Sequence, residues 1–170
     1  QGGAQANDAL VELAKSPENW VMTGRDYNAQ NFSPSTQITK ENVGKLRPAW
    51  SFSTGVLHGH EGTPLVVDGK MFVHTPFPNT TFALDLDEPG RILWQNKPRQ
   101  DPTARAVACC DVVNRGLAYA DGAIILHQAD TTVVSLDAKS GKVVWKKTID
   151  DFKAGYSYTA APMIVKGKVI

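Results

Sequence analysis

The chain has 170 residues and a formal net charge of +1, with 42% hydrophobic and 21% charged residues. This balance is typical of a globular chain and excludes a mainly disordered one. A charge near neutrality leaves no large field to attract nucleic acid or an anionic membrane. No apolar run approaches the roughly 20 residues that a membrane-spanning helix needs. We therefore expect no nucleic-acid partner and no membrane span.

The first six residues, QGGAQA, are small and polar and lack the charged start and apolar middle of a signal peptide. We expect them to remain from a removed leader, which favours an exported protein. Asn7 and Asp8 are candidate caps for a short helix that ends at Ser16-Pro17. With a second helical turn near Thr39, residues 1–48 are predicted to form an N-terminal segment with short helices.

From residue 49 onward the chain is predicted to be all-β. Short apolar runs are broken by Gly, Pro and Asp, and residues 48–52 are predicted as a first strand. Three stretches then repeat an apolar run, a tight Asp-Gly or Lys-Gly turn and a second apolar run, at residues 64–74, 116–127 and 162–170. Asp-Gly between apolar runs is among the strongest short hairpin signals. We therefore predict three β-hairpins.

A tryptophan recurs after the first two hairpins. Trp94 lies four residues after Gly90, Trp145 lies four residues after Gly141, and Trp50 belongs to a degenerate earlier copy. The glycines of the three hairpin turns are 53 and then 45 residues apart, which is the spacing of four-stranded β-propeller blades. We interpret the tryptophans as packing between blades. The alternative is a β-sandwich with a coincidental tryptophan spacing.

The predicted fold class is therefore all-β, a β-propeller. Propellers usually close with four to eight blades, and residues 49–170 account for about two and a half. We expect the chain to be the N-terminal portion of a longer protein, with part of any active site beyond residue 170.

The two cysteines, Cys109 and Cys110, are adjacent. Neighbouring Cα atoms lie about 3.8 Å apart, which is shorter than the roughly 4.4–6.8 Å of an ordinary disulfide. A bond between them would enclose almost no chain and would add little stability. The sequence leaves two possibilities, which are a bridged pair with a functional role in an oxidising compartment and two neighbouring buried thiols.

Three polar side chains, Glu61, Arg115 and Thr159, each stand just before one of the three hairpins. On a propeller such equivalent segments meet around one axis, so the three residues predict a site for a single ligand. Arg115 and Thr159 suit an anionic ligand, and Glu61 suits a donor or a protonated group. The alternatives are an ordinary salt bridge for Arg115 and a bond to nearby backbone for Thr159.

The histidines do not favour a metal site or a catalytic role. His58 and His60 stand beside Glu61 like part of a metal site, but no further nitrogen or sulfur ligands follow at a suitable spacing. A contact from Glu61 to a ligand is favoured over a metal bond. His74 and His127 occupy equivalent strand positions in two repeats, which favours a structural role over a catalytic one.

Several stretches resemble the pyrroloquinoline quinone (PQQ)-dependent alcohol dehydrogenases, and within that family the large catalytic subunits of methanol dehydrogenases. These stretches are Trp20-Val21-Met22, residues 46–55, residues 59–62, residues 108–116 and the tryptophan repeats. Residues 74–79 and 126–132 are similar to the lanthanide-dependent branch, which favours a lanthanide over calcium.

The resemblance implies an eight-bladed propeller with PQQ near its axis. Cys109 and Cys110 would form a vicinal disulfide that packs on one face of the planar cofactor. Glu61, Arg115 and Thr159 match family positions that contact its polar edge. The metal ligands and the catalytic Asp base would lie beyond residue 170, so we assign no catalytic residue and no metal ligand and expect the fragment to be inactive alone.

The same resemblance implies a periplasmic enzyme that oxidises methanol or another small primary alcohol to the aldehyde. Its electrons would pass to cytochrome c, and its catalytic subunit would form a homodimer. A substrate such as ethanol or a larger alcohol remains open. The alternative from a different class is a non-catalytic propeller scaffold that binds other proteins of the cell envelope.

Overall fold

The structure is a computed structural model that describes residues 2–108 and 111–170, with side chains from residue 8 onward. Within these residues, two four-stranded antiparallel sheets are followed by one hairpin, and all strands pair in chain order. The first sheet is β1 (Leu65–Val67), β2 (Lys70–His74), β3 (Thr81–Asp85) and β4 (Ile92–Asn96). The second sheet is β5 (Ala118–Ala120), β6 (Ala123–His127), β7 (Thr132–Asp137) and β8 (Val143–Thr148). The hairpin is β9 (Ile164–Val165) and β10 (Lys168–Val169). The all-β propeller class and the estimate of two and a half blades are confirmed.

The three predicted hairpins are present and share one turn geometry. Their two central residues have positive φ angles, which are 49° and 71° at Asp68-Gly69, 47° and 75° at Asp121-Gly122, and 50° and 70° at Lys166-Gly167. Two consecutive positive φ angles define the type I′ turn, whose twist matches that of the flanking strands. Local turn chemistry therefore sets the register of each hairpin.

Trp94 joins the first sheet to the second. A Cβ added to Gly141 would stand 2.5 Å from ring atom Cε3 of Trp94, so the ring lies directly against the glycine backbone. The indole N–H donates to the carbonyl of Ala138 at 3.0 Å, and the Asn96 amide donates to the carbonyl of Gly141 at 3.1 Å. In this contact, the tryptophan of one repeat packs against the glycine of the next repeat.

Trp145 occupies the same place in the second sheet. It pairs with Ser135 across β7 and β8, as Trp94 pairs with Ala83 across β3 and β4. Trp94 is 8% exposed and Trp145 is 42% exposed. The difference follows from packing, because no four-stranded sheet stacks on β8 within the part of the chain that the structure describes.

The segments that precede the hairpins lie side by side. Thr63 and Gly116 form a parallel β-bridge, and the N–H of Thr63 donates to the carbonyl of Arg115 at 3.4 Å. The N–H of Arg115 donates in turn to the carbonyl of Thr159 at 2.9 Å. Backbone hydrogen bonds therefore connect all three repeats at one edge.

The N-terminal helix α1 (Gly2–Lys15) begins five residues before the predicted cap at Asn7 and Asp8, so that start was wrong. Good helix formers such as alanine and glutamine in the first turns favour the earlier start. The predicted end is correct. Buried Arg25 donates to the carbonyl of Ala14 at 2.6 Å and so satisfies a carbonyl that the helix itself leaves open.

The strand predicted at residues 48–52 is wrong. No backbone hydrogen bond pairs this stretch with another strand among the described residues, and a strand needs such a partner for its polar groups. The stretch still contacts the first sheet, because the rings of Phe52 and Phe82 meet edge to face at 5.1 Å.

Short 3₁₀ turns lie at Val43–Lys45, Pro102–Ala106 and Phe152–Ala154. In the part of the chain described, no helix has the length and apolar character to cross a membrane.

Replacing Gly141 with alanine is expected to destabilise the protein more than the same change at Gly122. Both glycines have positive φ, 68° and 75°, so each substitution carries the strain of a left-handed residue, about 1–2 kcal/mol. The new Cβ meets Trp94 only at Gly141, since nothing lies within 4 Å of the Gly122 position. Overpacking there should add about 1–3 kcal/mol. Urea unfolding measures both variants, and equal losses of free energy would contradict the inter-blade role of Trp94.

Candidate functional site

Glu61, Arg115 and Thr159 form one cluster at the edge where the three repeats meet. The Nη2 atom of Arg115 lies 3.2 Å from the Oε2 atom of Glu61. The Nη1 atom of Arg115 donates to the hydroxyl oxygen of Thr159 at 3.0 Å. The structure therefore brings together the three side chains that the repeats placed in equivalent positions, and the Thr159 hydroxyl bonds to Arg115.

This cluster is open to solvent. The side chains of Arg115 and Glu61 are 44% and 49% exposed. An ion pair as exposed as this contributes little to stability, so the fold does not depend on it. The guanidinium has five N–H donors, and its position between a hydroxyl and a carboxylate suits an anionic ligand that also offers a donor.

Asn114 holds Arg115 in place from the neighbouring position. Its side chain is buried, with 1% exposure. Its Nδ2 donates to the carbonyl of His127 at 2.9 Å, and its Oδ1 accepts from the N–H of Gly116 at 3.0 Å. Sequence reasoning missed this role. The available signal was Asn-x-Gly, since an asparagine oxygen that accepts from the N–H two residues later forms an Asx turn.

Asp111 connects the segment after the two cysteines to the segment before Glu61. Its carboxylate accepts from the N–H of Gly59 at 3.2 Å and lies 3.0 Å from Nδ1 of His58. The Gly59 N–H, followed by the His58 ring, holds the pKa of the Asp111 carboxyl below its usual value. Cys109 and Cys110 themselves lie outside the described residues, so their predicted disulfide and cofactor contact remain predictions.

The neighbouring histidines already have protein partners. His60 contacts the hydroxyl of Thr54 through Nε2 at 2.9 Å and the carbonyl of His58 through Nδ1 at 2.8 Å. In residues 2–108 and 111–170, no three His, Cys, Asp or Glu side chains gather closely enough to hold a metal ion.

His74 is buried in the first sheet, as a structural role requires. It is 5% exposed, and its Nδ1 lies 2.9 Å from the hydroxyl of Thr81 on the paired strand. Burial away from water disfavours the charged ring and lowers the pKa of His74 from 6.5 to about 3. The ring is therefore neutral at physiological pH.

The burial of neutral His74 predicts that the folded state loses stability as the pH falls. Between pH 6.5 and 4.5 the unfolded state binds a proton at His74 that the folded state does not bind, so the free energy of unfolding should fall as the pH falls. One such group contributes a slope of up to about 1.4 kcal/mol per pH unit. Urea unfolding across this range should show a smaller slope for His74→Asn than for the wild type. The comparison at pH 7.5, where the wild-type ring is neutral, isolates the packing cost of the substitution, and an unchanged slope would contradict the prediction.

The chain is similar in sequence to known alcohol dehydrogenases. The family model for the PQQ glucose/ethanol/alcohol dehydrogenase β-propeller domain matches residues 20–170. Methanol dehydrogenase [cytochrome c] subunit 1 of Paracoccus denitrificans is 65% identical over 98% of this chain and 27% of its own length. The lanthanide-dependent methanol dehydrogenase of Methylorubrum extorquens is 54% identical over 98% of this chain and 28% of its own length.

A solved structure of a europium-containing methanol dehydrogenase has a TM-score of 0.92 and 50% identity, covering 95% of this chain and 28% of that chain. The chain thus spans little more than a quarter of the length of these relatives. Because the family model covers residues 20–170 and the solved relative has the same fold, this chain belongs to the PQQ-dependent glucose/ethanol/alcohol dehydrogenase β-propeller family.

Proposed function

We propose that the protein containing this chain oxidises methanol or another small primary alcohol to the aldehyde with PQQ as cofactor. The cluster of Glu61, Arg115 and Thr159 is the observation that carries this proposal, because it offers a cation, a hydroxyl and a carboxylate at the edge shared by three blades. The methanol dehydrogenases similar to this chain support the choice of substrate.

The chemistry of these side chains fits the cofactor. PQQ is a planar quinone with carboxylate groups at its edge, and an arginine binds a carboxylate through parallel N–H donors. The backbone of Arg115 is hydrogen-bonded to Thr63 and Thr159. Its guanidinium already contacts Glu61 and the Thr159 hydroxyl, so little side-chain freedom is lost when it binds. Thr159 adds a hydroxyl that can donate or accept. Glu61 both orients the guanidinium and can accept from a ring N–H.

When bound, PQQ supplies the two-electron oxidation, with a metal ion as Lewis acid. The residues of this chain bind and orient it. Cys109 and Cys110 would form a vicinal disulfide against the face of the ring, beside the segment that Asp111 fastens to Gly59. The base and the metal ligands would come from the rest of the protein, since this chain spans little more than a quarter of its relatives' length.

For the metal, we propose a lanthanide ion, because residues 74–79 and 126–132 are similar to the lanthanide-dependent branch. The 65% identical relative does not carry lanthanide in its name, so metal reconstitution is the deciding measurement. For the setting, we propose the periplasm and a homodimer of the catalytic subunit. We propose cytochrome c as the electron acceptor, in keeping with the name of that relative.

The non-catalytic scaffold is the less favoured function. A scaffold needs the blades and their tryptophan contact, but it has no need for an arginine held between Glu61 and Thr159 by buried Asn114.

Reconstitution of the full-length protein tests the proposal. Apoprotein mixed with PQQ and La³⁺ is expected to acquire the absorbance of bound quinone and to oxidise methanol, with Ca²⁺ less effective. Arg115→Met should raise the dissociation constant for PQQ by about 10- to 100-fold, since a hydrogen bond to a charged group contributes about 1.5–3 kcal/mol.

Arg91→Met is the matched control. Arg91 lies in the turn between β3 and β4 and pairs with Glu88 at 2.7 Å, so its loss should leave PQQ affinity unchanged. Absence of a quinone chromophore with either metal would contradict the proposed function and favour the scaffold.

Replacing Cys109 and Cys110 together with alanine is expected to weaken PQQ binding while the protein stays folded. A bridge between adjacent residues encloses almost no chain, so its loss should cost little stability. Circular dichroism checks the fold, and PQQ titration measures the affinity. Unchanged affinity would contradict the stacking role of the pair.

A further inference from the structure

His127 ends strand β6 and reaches out of its own sheet. It is 7% exposed, and its ring stacks on Tyr158 with centroids 4.5 Å apart and planes at 28°. Its Nδ1 lies 3.1 Å from the carbonyl oxygen of Ala160. A carbonyl only accepts hydrogen bonds, so Nδ1 carries the proton in this contact.

These two contacts fall on either side of Thr159. The ring of His127 holds the residue before Thr159 by stacking and the residue after it by a hydrogen bond. The backbone carbonyl of the same histidine accepts from Asn114, which precedes Arg115. The end of β6 thus contacts the segments that carry two of the three cluster residues.

The equivalent histidine in the first sheet has a different hydrogen-bond partner. His74 stands opposite Thr81, whose hydroxyl contacts its Nδ1 within the sheet. His127 stands opposite Val133, which has no polar side-chain atom. The Nδ1 of His127 therefore has no partner directly across its own sheet and bonds to the next repeat. Burial also lowers the pKa of His127, which favours the neutral ring.

We propose that His127 is a positioning residue for the cofactor site, which fixes Thr159 against Arg115 by holding the backbone on both sides of Thr159. This inference rests on the proposed function. It assigns no contact between His127 and the cofactor, because the ring acts through residues 158–160.

Two substitutions separate the contacts of the ring. His127→Phe keeps an aromatic ring for Tyr158 but removes the donor to Ala160, whereas His127→Asn keeps an amide donor near the place of Nδ1 but loses the ring. In the full-length protein, titration of PQQ with La³⁺ or Ca²⁺ should show a dissociation constant about three- to tenfold higher for His127→Phe, as expected for one lost hydrogen bond. His127→Asn should recover most of that affinity.

Leu136→Ala is the matched control for general loss of stability. Leu136 is fully buried in the same sheet, and it pairs with Ile124 at the opposite end of β6 from His127. This variant should unfold at a lower urea concentration and bind PQQ as the wild type does. Equal affinities for His127→Phe and the wild type would overturn the inference.

A double-substitution cycle tests whether His127 acts through Thr159. In a Thr159→Val background, His127→Phe should weaken PQQ binding by less than it does in the wild type, because the hydroxyl it positions is gone. An undiminished effect would overturn the inference. A wild-type protein that does not bind PQQ would overturn the proposed function as well, so the two failures are distinguishable.

Discussion

The contact between Trp94 and Gly141 is the constraint on which the arrangement of the sheets depends. A four-stranded sheet cannot bury both of its faces alone, so each must stack on a neighbour. The indole ring lies directly on the glycine backbone and its N–H reaches Ala138, which sets how closely the two sheets approach. Any side chain at Gly141 would occupy the space of the ring. The tryptophan of one blade and the glycine of the next thus form a single packing contact between successive blades.

The cluster of polar residues is a consequence of this stacking. Glu61, Arg115 and Thr159 each precede a different hairpin, and none of them could contact the others within a single blade. Backbone bonds from Thr63 to Arg115 and from Arg115 to Thr159 bring the three segments together once the sheets are stacked. Buried groups behind the cluster, Asn114 and the ring of His127, then hold its backbone while the charged side chains remain half exposed.

Features of the fold that depend on residues close together in the sequence, or on the repeat itself, could be predicted. The type I′ turns follow from Asp-Gly and Lys-Gly, whose geometry depends on two residues. The equivalence of Glu61, Arg115 and Thr159 followed from the repeat, since equal positions in equal blades meet at one axis. The strand expected at residues 48–52 is not formed because no described residue pairs with it, and an apolar pattern does not reveal whether a partner is present. The helix start was missed because capping residues permit a start without requiring one.

The sequence by itself determined the all-β class, the length of the repeat, the hairpin turns and the three positions of the candidate cluster, because each depends on local chemistry repeated along the chain. Only the tertiary structure decided which groups support that cluster. His74 and His127 look alike in sequence, yet one bonds across its sheet to Thr81 and the other to Ala160 of the next repeat. That choice depends on whether the residue opposite is Thr81 or Val133 and on how the blades stack, and both are set by pairing between distant parts of the chain.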